Sequence, residues 1–304
     1  MNSYWIDTHC HIFLSRQDAL FSDSTKRTPY PNSESLATDT DAAGTAFSSG
    51  SPLSPASLDP RIVAILQRAE EAGVRRFVVV GIDPETSREA MGIAMADPRC
   101  VATIGLHPNE AHFFSTGVEN TLNEMAKSPF VAAIGETGLD FYRGQAPPSD
   151  QEMAFRFHIE LARRVSKPLV IHVREAHRET RRVLEDELRS GSLPPLVMHC
   201  FSGSRDDAES YLSLGAFLSF AGPITFKTAN ARQLREVAAW APLERCLLET
   251  DSPFLSPHPY RGSPNEPART ALVGRELARL KGISEEEVAS TTTASASAIF
   301  FAGR

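Results

Sequence analysis

The segment WIDTHCHI, residues 5–12, combines strand-forming residues with two histidines at alternate positions. Successive side chains of a β-strand point to opposite faces, so His9 and His11 share one face with Asp7. Two imidazoles separated by about 7 Å of backbone can bind a single ion. The same pattern also fits a polar strand that binds nothing, so its meaning depends on the rest of the chain.

Seven further short apolar segments, rich in strand-forming residues, follow this one. They are RFVVVGI (76–82), CVATIGLHP (100–108), VAAIGETGLD (131–140), PLVIHVRE (168–175), LVMHCFSG (196–203), AFLSFAG (216–222) and RCLLETDSP (245–253). Segments with helical spacing lie between them or after them. They are 59–73, which ends at Gly73, 149–165, 204–215, 228–242 and two C-terminal stretches. Ser149, with Glu152 three residues later, forms a capping-box pattern and predicts the start of one helix.

Eight strands alternating with helices predict parallel βα units. The strand count favours a closed (β/α)8 TIM barrel of the α/β class. A doubly wound sheet is the alternative, but no Gly-rich phosphate fingerprint follows the first strand. The 304-residue chain exceeds the ~250 residues typical of such barrels by about one segment.

That extra segment covers residues 15–58 and is rich in Ser, Thr, Pro and Asp, without a sustained apolar period. It predicts a long flexible insertion after the first strand, within one domain that spans residues 1–304. Loops after barrel strands lie on the face where active sites are built. The insertion is therefore either an inert solvated loop or a flap over the substrate.

Composition and charge restrict the class of protein. A net charge of −7 with 41% hydrophobic residues is typical of a globular enzyme and argues against a broad basic nucleic-acid surface. No run approaches the ~20 apolar residues of a membrane helix, and the start lacks the pattern of a secretory signal. The four cysteines have no CxxC spacing and are interpreted as buried free thiols. We therefore expect a cytoplasmic protein without membrane contact.

Potential metal ligands recur where the predicted strands end. In a barrel these ends converge on one opening, although they are far apart in sequence. The residues are His9 and His11 on strand one, His107 after strand three, Glu136 on strand four, His172 on strand five, His199 on strand six and Asp251 after strand eight. If these residues bound no metal, the position of each one would need a separate explanation. The series therefore predicts a metal centre.

Glu136 is the natural bridging ligand, because its two carboxylate oxygens can bind different cations. The expected ligands of one ion are His9, His11 and Asp251, and those of the other are His172 and His199. Mixed nitrogen and oxygen ligands suit Zn, Mn, Co or Fe, and Mg where water completes the shell. One or two divalent ions, with Mg, Mn or Zn as the candidates, would activate water for an in-line displacement. Asp251 could orient that water or accept its proton.

The motifs DTHCH, GLHP, GETGLDFY, IHVR, HCFSG, ETDSPFL and RGSPNEP occur in the order found in the TatD family of metal-dependent hydrolases, a group of the amidohydrolase-like barrels. The chain resembles this family along nearly its whole length, except for residues 15–58. The resemblance implies a (β/α)8 barrel, one or two divalent cations and deoxyribonuclease activity, often exonucleolytic from the 3′ end of single strands. The metal ligands that it implies are His9, His11, Glu136, His172, His199 and Asp251.

The resemblance also assigns residues to the substrate side. It implies that His107 lies near the substrate phosphate and that Arg174 and Arg261 are substrate-side cations, with His107, Glu136 and Asp251 in the catalytic set. The chain departs from the family in its longer insertion and in Asn109, where a second histidine is common. These departures concern substrate access, not the metal ligands.

Three functions are compatible with the predicted metal ligands. The first is a metal-dependent phosphodiesterase acting on DNA, at single strands or strand ends, with no obligate protein partner. The second is an amidohydrolase or esterase acting on a small acyl or lactone substrate. It is disfavoured because strand four carries Glu136 where relatives of that kind often have a bridging lysine. The third is a metal-bound scaffold without activity, which an intact ligand set makes the weakest.

Several polar residues have a structural interpretation beside the functional one. Asp7 is expected to hold a histidine ring in one tautomer, and Glu249 to be a buried partner of the core. Asp140 could order the GETGLD turn or act in the site, and Tyr142 could pack its loop or stack a base. The histidines without a strand-end position are expected on the surface. They are His112, His158, His177 and His258.

Overall fold

Eight parallel strands follow one another in chain order in the part of the molecule that the computed structural model describes, residues 4–13 and 58–302. The strands are β1 (Trp5–Cys10), β2 (Val74–Val80), β3 (Cys100–Ile104), β4 (Val131–Asp140), β5 (Leu169–Arg174), β6 (Leu196–Met198), β7 (Phe217–Phe220) and β8 (Cys246–Leu248). Each strand pairs with the next, and a bridge from Cys10 to Ser252 joins β1 to the chain just after β8. The predicted (β/α)8 barrel is confirmed.

Helices connect the strands and cover the barrel. Within the described residues they are α1 (Pro60–Glu71), α2 (Pro84–Ala96), α3 (Thr116–Met125), α4 (Pro148–Val165), α5 (His177–Ser190), α6 (Arg205–Ser213), α7 (Asn230–Trp240), α8 (Thr270–Lys281) and α9 (Glu285–Phe300). Short 3-10 helices cover Pro108–Phe113, Gly222–Thr225, Leu243–Arg245 and Pro267–Arg269. The sequence pattern predicts six of these α-helices but not α2, α3 and α5. Only two side chains of α3 and three of α5 are buried, so their apolar faces are narrow.

Helix starts show where local signals were right and wrong. The start of α1 agrees with the predicted segment 59–73, because Asp59 accepts a hydrogen bond from the backbone N–H of Arg61 and Pro60 occupies the first helical position. The start of α4 does not, because the helix begins at Pro148 and Ser149 lies inside its first turn. The capping role predicted for Ser149 was therefore wrong. Its hydroxyl donates to Asp150 instead, at 3.1 Å.

Alternate residues of the strands belong to two apolar clusters. One cluster contains strand residues such as Ile6, Val78 and Val170, together with Phe300 and Phe301 at the end of α9. It fills the barrel interior and closes the end where the strands begin. The other cluster joins the opposite strand faces to the helices and holds most of the buried side chains. The polar ends of the strands are left at the far end of the barrel.

The structure bears on three further predictions: the insertion, the cysteines and the absence of membrane helices. The predicted insertion, residues 15–58, lies outside the described residues except for Leu58. All four cysteines are free, and they are buried apart from the partly exposed Cys200. Among the described helices, none is long and apolar enough to cross a membrane.

Candidate metal centre

The carboxylate of Glu136, near the middle of β4, lies at the centre of the histidine cluster and is only 3% exposed. Its Oε2 atom is 3.3 Å from Nε2 of His9 and 3.8 Å from Nε2 of His11. Asp251 completes this group, since its Oδ1 atom is 3.4 Å from Nε2 of His11 and 3.9 Å from Nε2 of His9. The imidazoles of His9 and His11 and the carboxylate of Asp251 thus converge on one side of Glu136.

The other oxygen of Glu136 faces a different set of rings. Its Oε1 atom is 2.9 Å from Nδ1 of His172, 3.1 Å from Nε2 of His199 and 3.4 Å from Nε2 of His107. The potential ligand atoms of His107, Glu136 and His172 all lie within 4.8 Å of one another, as do those of His9, Glu136 and His199. The structure therefore brings together all seven strand-end residues that the sequence singled out.

Hydrogen bonds on the far side of three rings set which nitrogen faces Glu136. Nδ1 of His11 lies 2.9 Å from the carbonyl oxygen of Val80, and Nδ1 of His199 lies 3.0 Å from Oε1 of Glu249. An acceptor at Nδ1 holds the ring proton there and leaves the lone pair on Nε2, which is the atom that points to the centre. In His172 the order is reversed, because Asp140 faces Nε2 at 3.2 Å and Nδ1 faces Glu136.

His107 differs from these rings in its hydrogen bonding. Its Nδ1 atom accepts a hydrogen bond from the backbone N–H of Asn109 at 3.1 Å, which caps the 3-10 helix Pro108–Phe113. A neutral imidazole that accepts at Nδ1 carries its proton on Nε2, so His107 presents a donor to Glu136. His107 therefore both caps this short helix and contacts the carboxylate of Glu136.

Asp7 contacts the backbone of the site instead of a ring. Its Oδ1 accepts from the backbone N–H of His9 at 3.2 Å and from that of Thr250 at 3.0 Å, and its Oδ2 accepts from the Thr250 hydroxyl at 2.6 Å. Nδ1 of His9 has no hydrogen-bond partner among the described residues. The expectation that Asp7 holds a histidine ring does not match these contacts. Asp7 instead joins β1 to the segment that carries Asp251, and burial raises its pKa to about 7.

The segment after β8 is held in place by further backbone contacts. The N–H of Asp251 donates to the carbonyl of His9 at 2.9 Å. The side-chain amide of Asn265, in the RGSPNEP motif, donates to the carbonyls of Thr250 at 2.9 Å and Phe254 at 2.7 Å. Asn265 was not among the predicted site residues, although its motif was recognised. Its position explains why the motif accompanies the centre.

Two glycines allow β4 to approach β5 on both sides of Glu136. A Cβ atom at Gly138 would lie 2.1 Å from the carbonyl oxygen of His172, and one at Gly135 would lie 2.4 Å from that of Val170. Both glycines have positive φ, at +132° and +127°. The GETG sequence is therefore required by close backbone packing around the central carboxylate.

The electrostatics of the cluster match a site for cations. Burial opposes ionisation of Glu136, but the surrounding imidazoles, His199 first, hold the pKa of its carboxyl well below the ordinary value. Burial likewise opposes the charge on His199, but Glu136 and Glu249 hold its pKa well above the ordinary value. The rings of His9 and His199 stack at 3.8 Å between centroids. Converging imidazole and carboxylate ligands of this kind fit a divalent metal ion, which would replace protons as the positive charge.

The two predicted substrate-side arginines lie at the rim and are exposed. The guanidinium carbon of Arg174 is 3.9 Å from the ring centroid of Tyr142, and that of Arg261 is 4.0 Å from the ring centroid of Phe226. Asp140, which faces His172, also accepts backbone hydrogen bonds from Tyr142 and Arg143. Burial opposes its ionisation, but the contact with His172 and the hydrogen bond from Arg143 lower its pKa to about 2. Asp140 therefore both orders the turn and contacts the centre.

One of the four histidines expected on the surface is fully buried. His158 accepts a hydrogen bond from the N–H of Leu106 at Nε2, at 3.0 Å, and its Nδ1 lies 2.6 Å from the carbonyl oxygen of Ala154. The expectation for His158 was wrong, because this residue lies on the buried face of α4 with Phe155 and Ile159. The spacing of these three residues is helical and could have predicted the burial of His158. His177 is half-buried against Tyr211, while His112 and His258 are exposed as predicted.

Known proteins share both the sequence and the fold. Residues 6–301 match the family model described as TatD related DNase. The "Uncharacterized metal-dependent hydrolase YabD" of Bacillus subtilis is 37% identical over 254 residues, which cover 84% of this chain and 98% of the relative. The "3'-5' ssDNA/RNA exonuclease TatD" of Erwinia amylovora is 36% identical over 241 residues, covering 78% of this chain and 92% of the relative.

A solved structure extends the comparison to the whole barrel. The structure of YjjV, a TatD homolog from Escherichia coli, superimposes with a TM-score of 0.76 at 26% identity, covering 98% of each chain. Sequence and structure thus indicate the same family. The chain belongs to the family of TatD related DNases and is a metal-dependent hydrolase.

Proposed function

We propose that this protein is an exonuclease that hydrolyses phosphodiester bonds at the 3′ ends of single-stranded DNA, with Glu136 bridging two divalent cations. One observation carries the proposal. The two oxygens of Glu136 face two separate groups of ligand atoms, which is the arrangement that a bridging carboxylate needs. The relatives named 3'-5' ssDNA/RNA exonucleases support the choice of substrate and polarity.

The tautomers support a division between metal ligands and a substrate donor. His11 and His199 direct a lone pair of Nε2 to the centre, and His172 directs one from Nδ1. In the proposal, His9, His11 and Asp251 would hold one ion together with Glu136, and His172 and His199 would hold the other. His107 carries a proton on the nitrogen that faces the centre, so it donates to a phosphate oxygen.

Bound divalent cations would lower the pKa of a water molecule and stabilise the negative charge that develops on the phosphate. The protein contributes position and proton transfer. Asp251, with 15% of its side chain exposed, is more open than Glu136 and is the group that orients the attacking water or accepts its proton. Arg174 and Arg261 at the rim neutralise phosphates of the bound strand.

The ligand set also bears on metal identity. Imidazole nitrogens outnumber carboxylate oxygens, which favours Mn or Zn over Mg, because Mg prefers an all-oxygen shell. Metal analysis of the purified protein, followed by reconstitution with each ion, tests this preference. Full activity with Mg alone, at concentrations where Mn and Zn give none, would contradict it.

The activity is tested with single-stranded oligonucleotides labelled at either end. The 5′-labelled strand is expected to give a ladder of shortening products with Mn or Mg, and the chelator EDTA is expected to abolish it. The 3′-labelled strand should release labelled mononucleotide from the start. Absence of any metal-dependent release by protein that retains its bound metal would refute the proposal, and a parallel screen of esters and lactones would then identify the alternative hydrolysis.

We further propose that residues 1–304 form one hydrolase domain with residues 15–58 inserted in it, and that the protein is cytoplasmic. The family match on both sides of the insertion supports the first point. A variant with a short glycine linker in place of residues 15–57 should melt near the wild-type temperature. Loss of cooperative melting in that variant would show that the segment belongs to the folded domain.

A further inference from the structure

The exposed aromatic side chains of the described residues lie on one face of the barrel. Those with the largest exposure are Phe113 at 38%, Tyr142 at 58%, Phe254 at 36% and Tyr260 at 46%. All four lie in segments that follow the carboxyl ends of strands β3, β4 and β8, which is the face that carries the histidine cluster. Aromatic rings are normally buried, so their exposure around one site indicates a surface that binds something.

Tyr142 is fixed in position relative to the centre. Its backbone N–H donates to Oδ1 of Asp140 at 3.0 Å, and Oδ2 of Asp140 is 3.2 Å from Nε2 of His172. The guanidinium of Arg174 lies over the ring at 3.9 Å, yet more than half of the Tyr142 side chain remains exposed. The ring is therefore held by a cation on one face while much of its surface remains open to a ligand.

Phe254 is fixed beside the other group of ligands. Its ring is edge-on to His11, with 6.4 Å between centroids, and its N–H donates to the carbonyl of Asp251 at 2.8 Å. Its own carbonyl accepts from the side chain of Asn265 at 2.7 Å. Contacts on both sides of its peptide unit hold Phe254 at the edge of the cluster, where the ring is still partly exposed.

The two rings approach the centre from opposite sides. Tyr142 follows β4 and Phe254 follows β8, and strands four positions apart lie across from each other in an eight-stranded barrel. Glu136 belongs to the first of these strands, and Asp251 follows the second. A flexible chain that places its backbone over Glu136 would therefore have an aromatic ring on each side.

We propose that Tyr142 and Phe254 are stacking platforms for the bases on either side of the scissile phosphate of a single-stranded nucleic acid. The inference rests on the proposed nuclease function and adds the residues that select an unpaired strand. Every base has an open π-face when it is unpaired and unstacked, whereas in a duplex the neighbouring base pairs cover those faces. Both residues are positioning residues, since neither touches the reacting atoms.

The charge of the molecule makes stacking the more important source of affinity. With a net charge of −7, the chain cannot attract nucleic acid through a broad basic surface. Local cations such as Arg174 and Arg261 can neutralise a few phosphates only. Base stacking on aromatic rings works without such a surface and accepts any base sequence.

The test measures binding separately from cleavage. The metal-loaded wild-type protein and the variants Tyr142→Ala and Phe254→Ala are titrated into a fluorescent oligothymidylate with phosphorothioate links, which resists hydrolysis, and into an abasic strand of equal length and charge. Each variant should weaken binding of the oligothymidylate by about tenfold or more, equivalent to about 1.4 kcal/mol, and change binding of the abasic strand by less than about twofold.

Matched variants control for damage to the site. Tyr142→Phe and Phe254→Tyr keep an aromatic ring and should bind like the wild type, as should Met153→Ala, which removes an exposed side chain on α4. With a cleavable strand, the alanine variants should raise KM and leave kcat nearly unchanged. Equal losses on both strands, or no loss on either, would overturn the inference. If the wild-type protein binds the strand but never cleaves it, the proposed function fails while the binding comparison still decides the role of the two rings.

Discussion

The buried carboxylate of Glu249 accepts a hydrogen bond from Nδ1 of His199 at 3.0 Å. The other nitrogen of the same ring points to Glu136 at 3.1 Å, so Glu249 fixes the orientation of the imidazole that faces Glu136. Oε1 of Glu249 also accepts from the backbone N–H of Cys200 at 3.0 Å, which fixes the carboxylate itself. Asp140 has the equivalent position behind His172. Carboxylates of this kind orient metal-bound imidazoles and raise their basicity.

The first prediction concerns Glu249→Gln. This change keeps the size of the side chain and removes the charge that supports His199, so metal affinity should fall by about tenfold or more. Isothermal titration of the metal-free protein measures the affinity. Glu244→Gln, an exposed position just before β8, is the matched control and should leave it unchanged. Equal affinities of wild type and Glu249→Gln would show that the hydrogen bond does not tune the ligand.

The second prediction concerns Glu136→Gln. A neutral amide cannot bridge two cations as a carboxylate does, so the metal content should fall at both positions. Nuclease activity should fall by at least about a hundredfold, which is more than the effect expected for a residue such as Glu249 that contacts a ligand from outside the centre. Metal analysis and initial rates on a labelled strand measure the two effects. Glu160→Gln changes an exposed carboxylate on α4 and should have no effect. If activity survives in Glu136→Gln, the bridging arrangement is incorrect.

The barrel and the residues of the centre could be predicted because both depend on repetition. Eight strand-like segments specify the fold class, and strand ends converge in any barrel of this type, so seven distant side chains could be placed together from their positions alone. What could not be predicted is which atom of each side chain faces which neighbour. The order of Nδ1 and Nε2 in His172 depends on Asp140, and the contacts of Asp7 depend on Thr250, 243 residues away.

Other errors came from local signals that longer-range packing overrode. Ser149 and Glu152 are the right residue types for a capping box, but the helix begins at Pro148, two residues before the start that a cap at Ser149 predicts. His158 was predicted to lie on the surface because it is not at a strand end. Its spacing from Phe155 and Ile159 along α4, however, places it on the buried face of the helix. The contact of Tyr142 with Arg174 joins the loop after β4 to the end of β5, and neither segment alone predicts it.

The third prediction contrasts two glycines. Gly138→Ala places a Cβ atom 2.1 Å from the carbonyl oxygen of His172 at a positive φ, so it should destabilise the fold by about 3 kcal/mol or more and weaken metal binding. Gly92→Ala lies within α2, where nothing is within 4 Å of the new atom, and should stabilise the protein by about 0.5–1 kcal/mol. Urea denaturation measures both. A Gly138→Ala variant as stable as the wild type would contradict the close approach of β4 and β5.

The last prediction concerns stability at low pH. Burial lowers the pKa of His158 from 6.5 to about 4. The unfolded chain therefore binds more protons than the folded one between these two values, and the free energy of unfolding should fall as the pH falls from about 6.5 towards 4. A single group with this shift contributes about 3 kcal/mol to that fall.

His158→Gln should remove this contribution. The variant should be less stable than the wild type near neutral pH, because the hydrogen bond from the N–H of Leu106 is lost or weakened, by about 1 kcal/mol. At lower pH the difference should shrink and then reverse, since glutamine has no proton to gain. Urea denaturation across this pH range, with EDTA present, measures the effect. EDTA keeps both proteins free of metal, so metal binding does not contribute to the difference between them. His112→Gln, an exposed histidine after β3, should run parallel to the wild type. If His158→Gln also ran parallel, burial of the neutral ring would not be the source of the acid sensitivity.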